Sequence, residues 1–196
     1  MQPAATAADV AAYITRKLGS KPPAKKRLKL CYYAQAWSMA WYGEPLFAET
    51  IEAWRDGPVV RAIWDSPHSS PRPEGNADAV PEPHRGTIDA VLAMYGDLTG
   101  DDLSTLTHLE RPWLDARGGL RAGASSRNPI SPAALAAYYG RGGFTPGSFP
   151  AGFREGLRAL LEATDEDAEA LAALNDDDEL GPPITADDIA AWSAHS

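Results

Sequence analysis

The sequence predicts a mainly α-helical protein: a compact multi-helix domain with a short β element, followed by an acidic helical C-terminal extension. Residues 30–42 are apolar on every face of a helical wheel, which is typical of a helix buried at a domain centre, and they are too few to cross a bilayer. The net charge of −9 falls on the end of the chain: residues 1–140 hold 15 basic and 15 acidic residues, whereas residues 141–196 hold 3 and 12.

Capping residues predict where helices begin and end. The first helix should end at Gly19, and the buried helix should span 22–42 before Gly43, with its two prolines in the first turn. Three helices should begin at a hydroxyl side chain: Thr6 with Asp9 three residues later, Thr99 with Asp102 three residues later, and Ser131 before Pro132.

A short strand is predicted at 49–54, where apolar and polar residues alternate before the turn at 56–58. Pro58 should open a short helix over 59–65, since proline suits a first helical turn. Residues 66–84 read as a proline-rich loop, followed by a helix at 87–95. Pro112 and Trp113 are expected to interrupt the helical pattern that begins at Thr99.

We expect three parts: a domain at 6–139, a Gly/Pro-rich linker at 140–152 and an acidic helical extension at 153–196. Further helices are predicted at 168–174 and after Thr185. The apolar residues Phe153, Leu157, Leu160 and Trp192 indicate that at least the first helix of the extension packs on something, either the domain or a second copy. A homo-oligomer is therefore left open.

The composition favours an interaction protein over an enzyme. The four histidines are scattered, and no phosphate-binding loop or nucleophile elbow is present, so we expect no catalytic residue, no metal and no cofactor. Cys31 lies in the apolar helix, where burial raises a thiol pKa. With no long apolar run, no secretory segment and one cysteine, we expect a cytoplasmic protein without a membrane contact.

Two features suggest binding surfaces. Four of the six tryptophans fall between Trp37 and Trp64, and Trp serves cores and interfaces alike. A basic run at 16–29 supports an alternative function as a nucleic-acid-binding or regulatory protein, because phosphate contact needs clustered Lys and Arg. The sequence pI near 4.9 and the lack of a recognition-helix signature make nucleic acid an unlikely partner.

Four blocks of residues, in order and spacing, resemble the Panacea antitoxin domain, the family of GepA-like and SocA-like phage-associated proteins. They are K-x-x-K-L-x-Y-Y-x-Q-x-W from Lys26, E-A-W-x-x-G-P-V from Glu52, T-H-x-x-x-P-W-x-x-x-R from Thr107, and Ile130 with the Tyr138–Tyr139 pair. The motif or partner-binding candidates in these blocks are Lys26, Lys29, Tyr33, Gln35, Trp37, Glu52, Trp54, Gly57, Pro58, His108, Trp113 and Arg117.

The resemblance implies a non-enzymatic antitoxin of a bacterial or phage toxin–antitoxin system, which neutralises a cognate protein toxin by direct binding. SocA-like members also deliver their toxin to an AAA+ protease as a proteolytic adaptor. Lys29, Glu52 and Trp54 would either support the toxin-facing surface or include an internal Lys–Glu pair, and both alternatives stay open. The acidic extension lies outside the resemblance; it would either reach a basic cleft of the toxin or serve as a solubilising or packed extension.

Overall fold

The computed structural model describes residues 5–64, 74–121 and 123–162. This part of the chain is mainly helical with one β-hairpin, as the sequence predicts. The helices are α1 (Ala7–Leu18), α2 (Ala24–Tyr42), α3 (His84–Tyr95), α4 (Gly100–His108), α5 (Arg111–Arg117), α6 (Pro132–Tyr139) and α7 (Phe153–Glu162). The hairpin pairs β1 (Ile51–Trp54) with β2 (Gly57–Val60) in antiparallel register.

Helix α2 is the hub of the fold. Every residue from Arg27 to Met39 is buried, and the helix contacts α1, α3, α4, α6 and β2. This follows from its composition, because a helix that is apolar on all faces needs neighbours on all faces. It begins after Pro23 and ends at Gly43, which takes the left-handed conformation that glycine favours.

The predicted helix caps are confirmed. Both capping boxes form, with Thr6 accepting from the Asp9 amide at 3.2 Å and Thr99 accepting from the Asp102 amide at 3.1 Å. Ser131 accepts from the backbone amide of Ala133 at 3.1 Å. Helix caps can be predicted from the sequence because each cap depends on residues only a few positions apart.

The predicted helix at 59–65 is wrong, because Pro58, Val59 and Val60 belong to β2 and only Arg61–Ile63 form a 3₁₀ turn. Pro58 is opposite Ala53. The Ala53 amide donates away from β2, to the Asn128 carbonyl at 2.8 Å, so the two residues form a non-hydrogen-bonded pair. Proline therefore removes no ladder bond at this position, and the buried valines continue the strand.

Three other boundaries differ from the prediction. Helix α2 begins at Ala24, so its two prolines precede the first turn instead of lying in it. The helix predicted from Thr99 does end before Pro112, at His108, but Pro112 and Trp113 then lie in the first turn of a separate helix, α5, where proline has no hydrogen bond to lose. Helix α3 begins at His84, one turn before the predicted start.

The segment after α6 packs against the domain. Phe144 and Phe149 lie against Trp37, with ring centroids at 5.6 Å and 4.7 Å. Helix α7 contacts α3 and α4 and buries Phe153, Leu157 and Leu160, so the expected packing of the extension's first helix is onto its own domain. Trp192 and the helices predicted at 168–174 and after Thr185 lie outside the described residues. The division of the chain at 140–152 stays a prediction.

Candidate partner-binding surface and the buried motif beneath it

Lys29 joins α2 to the hairpin from inside the protein. Its side chain is 1% exposed, and Nζ donates to the carbonyl oxygens of Asp56 at 2.6 Å and Pro58 at 3.1 Å. Gly57, with φ of +93°, allows the hairpin turn to approach this closely. Burial, followed by the charge of Lys25, lowers the pKa of Lys29 to about 7. The lysine therefore fixes the hairpin position instead of facing a partner.

Three stacked side chains from the third sequence block pack beside β1 and hold it in place. The rings of His108 and Trp113 are stacked at 4.2 Å, and the Arg117 guanidinium lies 4.8 Å from the Trp113 ring. Trp113 Nε1 donates to the carbonyl of Trp54 at 2.9 Å. Burial, followed by the nearby charge of Lys29, lowers the pKa of His108 to about 4, so this imidazole is neutral at physiological pH.

The other motif residues in α2 hold loops and helices in place. The Gln35 amide donates to the Phe47 carbonyl at 3.0 Å and accepts from the amides of Leu46 and Phe47. Lys26 Nζ donates to the Gly96 carbonyl after α3, and Trp37 Nε1 donates to the Tyr95 hydroxyl at 3.4 Å. Each side chain thus satisfies backbone or hydroxyl groups that would otherwise be unpaired.

Most of the sequence-predicted site residues are interior. Lys29, Tyr33, Gln35, Trp37, Gly57, Pro58, Trp113 and Arg117 are buried, whereas Lys26, Glu52, Trp54 and His108 are half-buried. An internal Lys29–Glu52 pair is not formed, because Lys29 binds backbone carbonyls and Glu52 accepts from Trp54 Nε1. Glu52 and Trp54 therefore remain at the surface.

Above the buried motif lies a surface that we call the Trp–Arg patch. It consists of Glu52, Trp54, Arg61, Trp64 and Arg127, of which the first four are half-buried and Arg127 is exposed. The two indole rings meet edge to face at 4.9 Å. The Arg61 guanidinium lies 5.7 Å and 5.6 Å from them, and that of Arg127 lies 6.0 Å from Trp54. Trp and Arg are the residues most enriched at the energetic centres of protein interfaces.

The sequence indicated this patch only in part. Glu52 and Trp54 belong to the second block, and Trp64 belongs to the tryptophan-rich segment. Arg61 and Arg127 carried no local signal. Arg127 reaches the patch because residues 128–130 run beside β1, where the Ile130 amide donates to the Ile51 carbonyl at 2.8 Å.

Three cations of the basic run at 16–29 form ion pairs with carboxylates of neighbouring elements. Arg16 pairs with Asp78 at 2.7 Å, and Lys17 pairs with Asp89 at 2.9 Å. Lys25 pairs with Asp101, and Lys26 donates to the Gly96 carbonyl. Arg27 and Lys29 are buried. Since phosphate binding needs clustered cations that face solvent, this arrangement does not favour the nucleic-acid alternative.

Glu110, a half-buried residue that lies between α4 and α5, was not identified from the sequence. Glu110 accepts from the hydroxyls of Tyr32 at 3.1 Å, Tyr33 at 3.0 Å and Tyr139 at 2.7 Å. Burial raises the pKa of Glu110 to about 7, although the tyrosine hydroxyls and the charge of Lys29 oppose the rise. The sequence shows the two Tyr–Tyr pairs, but no local pattern connects them to Glu110. Glu110 is 78 residues from Tyr32 and 77 residues from Tyr33.

Within the described residues, no group of three or more His, Cys, Asp or Glu side chains is arranged to hold a metal ion. A search of the same residues for a helix of membrane-spanning length and hydropathy finds none.

Comparison with known protein families supports the resemblance drawn from the motif blocks. Residues 28–114 match the family described as antitoxin SocA-like, Panacea domain. The match includes most of α2, the whole hairpin, α3, α4 and Trp113 of the third block. No curated protein and no solved structure matches the chain.

Proposed function

We propose that this chain, whose residues 28–114 match the SocA-like Panacea domain family, neutralises a cognate protein toxin by direct binding. The family match supports a general antitoxin role, and such a role suggests binding instead of catalysis. The Trp–Arg patch is the observation that favours a direct contact, because Glu52 and Trp54 of the second sequence block lie there at the surface beside the guanidinium groups of Arg61 and Arg127.

The buried motif has a supporting role in this proposal. Lys29 sets the position of the β-turn, and Trp113 holds the Trp54 carbonyl, so both determine where the patch lies. A partner could not contact these two side chains directly, since they are 1% and 5% exposed. Pre-positioned aromatic and guanidinium groups lose less conformational entropy on binding than mobile ones.

Cognate toxins of such systems are usually encoded by a neighbouring gene, so the test is growth rescue in cells that express a toxic neighbouring gene together with variants of this chain. Trp64→Ala and Arg61→Glu should each weaken toxin binding by about 2 kcal/mol, roughly 30-fold, as is typical of an interface centre. Arg61→Glu should melt near the wild-type temperature, since its side chain is only half-buried. Trp64→Ala should melt at a lower temperature, because the Trp64 ring packs against the core, so binding is compared at a temperature at which both variants are folded. Arg158→Glu, a matched charge reversal at an exposed position of α7, should still neutralise the toxin.

Full rescue by both patch variants, with binding as tight as that of the wild type, would contradict the assignment of this surface. Failure of the wild-type chain to bind the toxin in a pull-down would contradict the function itself. Delivery to an AAA+ protease is a separate prediction, and it requires that the toxin's half-life in cells lengthens when the protease is deleted.

A further inference from the structure

A small aromatic pocket lies between α4, α6 and α7, on a different set of residues from the Trp–Arg patch. Its volume is about 70 Å³, several times the roughly 10–15 Å³ that one water molecule needs. The lining includes the rings of Trp37, Tyr95, Tyr139, Phe144 and Phe153, together with Glu110.

Glu110 contributes a carboxylate to the lining of this aromatic pocket, and no cationic side chain in the part of the chain that the structure describes is paired with it. All three of its hydrogen-bond donors are neutral tyrosine hydroxyls. Among the described residues, no Lys, Arg or His nitrogen lies within 4.0 Å of the carboxylate. The sequence after 162 contains no lysine or arginine. Glu110 is half-buried, and a carboxylate that is partly withdrawn from water is stabilised by a paired positive charge.

We propose that the pocket binds a primary alkylammonium group, with the ammonium on the Glu110 carboxylate and the alkyl chain among the rings. An ammonium is attracted both to a carboxylate oxygen and to the faces of Trp and Tyr rings. The apolar rings of Phe144 and Phe153 suit the methylene chain. The group would come from a free amine or from a lysine side chain of a partner protein. This inference does not depend on the antitoxin function.

Binding should depend on pH, because the ammonium needs the ionised carboxylate. With a pKa of about 7, Glu110 changes from about 10% ionised at pH 6 to about 90% at pH 8, so the apparent affinity should fall about tenfold at pH 6. An alkylammonium stays protonated over this range.

Other titratable groups face Glu110 from the elements packed around it. Tyr32 and Tyr33 of α2, Tyr95 of α3, and Tyr139 of α6 have pKa values raised well above 10 and stay neutral. The pKa of Tyr138 is also raised, with Glu110, Arg111 and Arg141 among its charged neighbours. His108 of α4 is neutral above pH 6, whereas Lys29 has a pKa of about 7 and changes charge in the same range.

Isothermal titration calorimetry on the full chain tests the proposal. The ligands are n-butylammonium, the lysine mimic Nα-acetyl-lysine methylamide, and n-butanol as a neutral control of similar shape. At least one amine should bind at pH 8 and about tenfold more weakly at pH 6, and n-butanol should bind at least tenfold more weakly than that amine. Binding of both amines would show that the pocket admits a lysine side chain; binding of n-butylammonium alone would identify a small amine as the ligand.

Glu110→Gln keeps the side-chain size and should remove both the preference for the amine and the pH dependence. A pH dependence that persists in Glu110→Gln would assign it to Lys29 and contradict the proposal. No amine binding at pH 8, equal affinity for n-butanol, or equal amine affinity at pH 6 and pH 8 would each overturn it. These three measurements need only the wild-type chain, so they test the proposal even if Glu110→Gln does not fold.

Discussion

Lys29 shows how a single buried lysine can fix a hairpin without an acidic partner. Its Nζ binds two carbonyl oxygens at the turn, and the Asp56 carbonyl also accepts from Ser104 Oγ at 2.7 Å. Burial lowers the pKa of Lys29 to about 7, so the unfolded chain binds more protons between about pH 7 and the ordinary value of 10.5. The contribution of Lys29 to stability must therefore increase as the pH rises through this range.

Replacing Lys29 with Met should expose this effect. The variant keeps the apolar stem but leaves the Pro58 carbonyl without its donor, so we expect a loss of about 1–3 kcal/mol in unfolding free energy at pH 7. The deficit should grow between pH 7 and pH 9.5, because only the wild type gains stability from Lys29 deprotonation. Urea denaturation of both proteins at the two pH values measures this. A deficit that stays constant or shrinks would show that Lys29 is charged in the fold.

At the level of elements, the sequence predicted what depends on near neighbours in the chain. The caps at Thr6 and Thr99 and the all-round apolar pattern of α2 are local, and all three were predicted correctly. The role of Pro58 was misread, because whether proline opens a helix or lies in a strand depends on the partner strand and on Asn128. The Glu110 site required residues from three elements to meet, which spacing alone does not reveal.

The hairpin turn offers a sharp test of its close packing against α2. A Cβ on Gly57 would lie 2.6 Å from Lys29 Nζ and 2.8 Å from Thr107 Oγ1, whereas a Cβ on Gly119 would meet nothing within 4 Å. Both glycines have positive φ, of +93° and +76°. Gly119→Ala should therefore show mainly the backbone cost, about 1–2 kcal/mol.

Gly57→Ala should cost at least about 1 kcal/mol more than that control, because Lys29 or the turn must also move. Thermal or urea unfolding of the two variants under the same conditions measures the difference. Equal destabilisation would mean that Lys29 accommodates the added methyl group freely, and that the close approach does not position the hairpin.

On the scale of the whole molecule, the residues that hold the fold together are mostly different from the residues of the candidate binding features. The motif residues that carry the family resemblance mostly face inward and hold α2, the hairpin and α5 together. The Trp–Arg patch lies above this interior, and α7 closes the aromatic pocket at another position. In this chain, the residues that carry the resemblance and the residues of the candidate binding features are therefore largely different.

Two truncations separate the effect of α7 from that of the acidic residues that follow it. Ending the chain after Gly140 removes Phe144, Phe149 and α7 from the core, each buried apolar side chain contributing about 1.5–3 kcal/mol, so we expect severe destabilisation. Ending it after Glu162 keeps α7, removes ten acidic residues and no Lys or Arg, and changes the net charge from −9 to +1. This longer form keeps every core side chain of the described residues, so it should lose less stability than the shorter form.

The longer truncation then tests whether the acidic end assists toxin capture. If it steers the chain toward a basic toxin surface, removing it should slow association at low salt by about tenfold or more, and the difference should vanish at high salt. Stopped-flow mixing with the purified toxin at the two ionic strengths measures this, with growth rescue as the cellular readout. An unchanged association rate at low salt, together with full rescue, would show that residues 163–196 take no part in neutralisation.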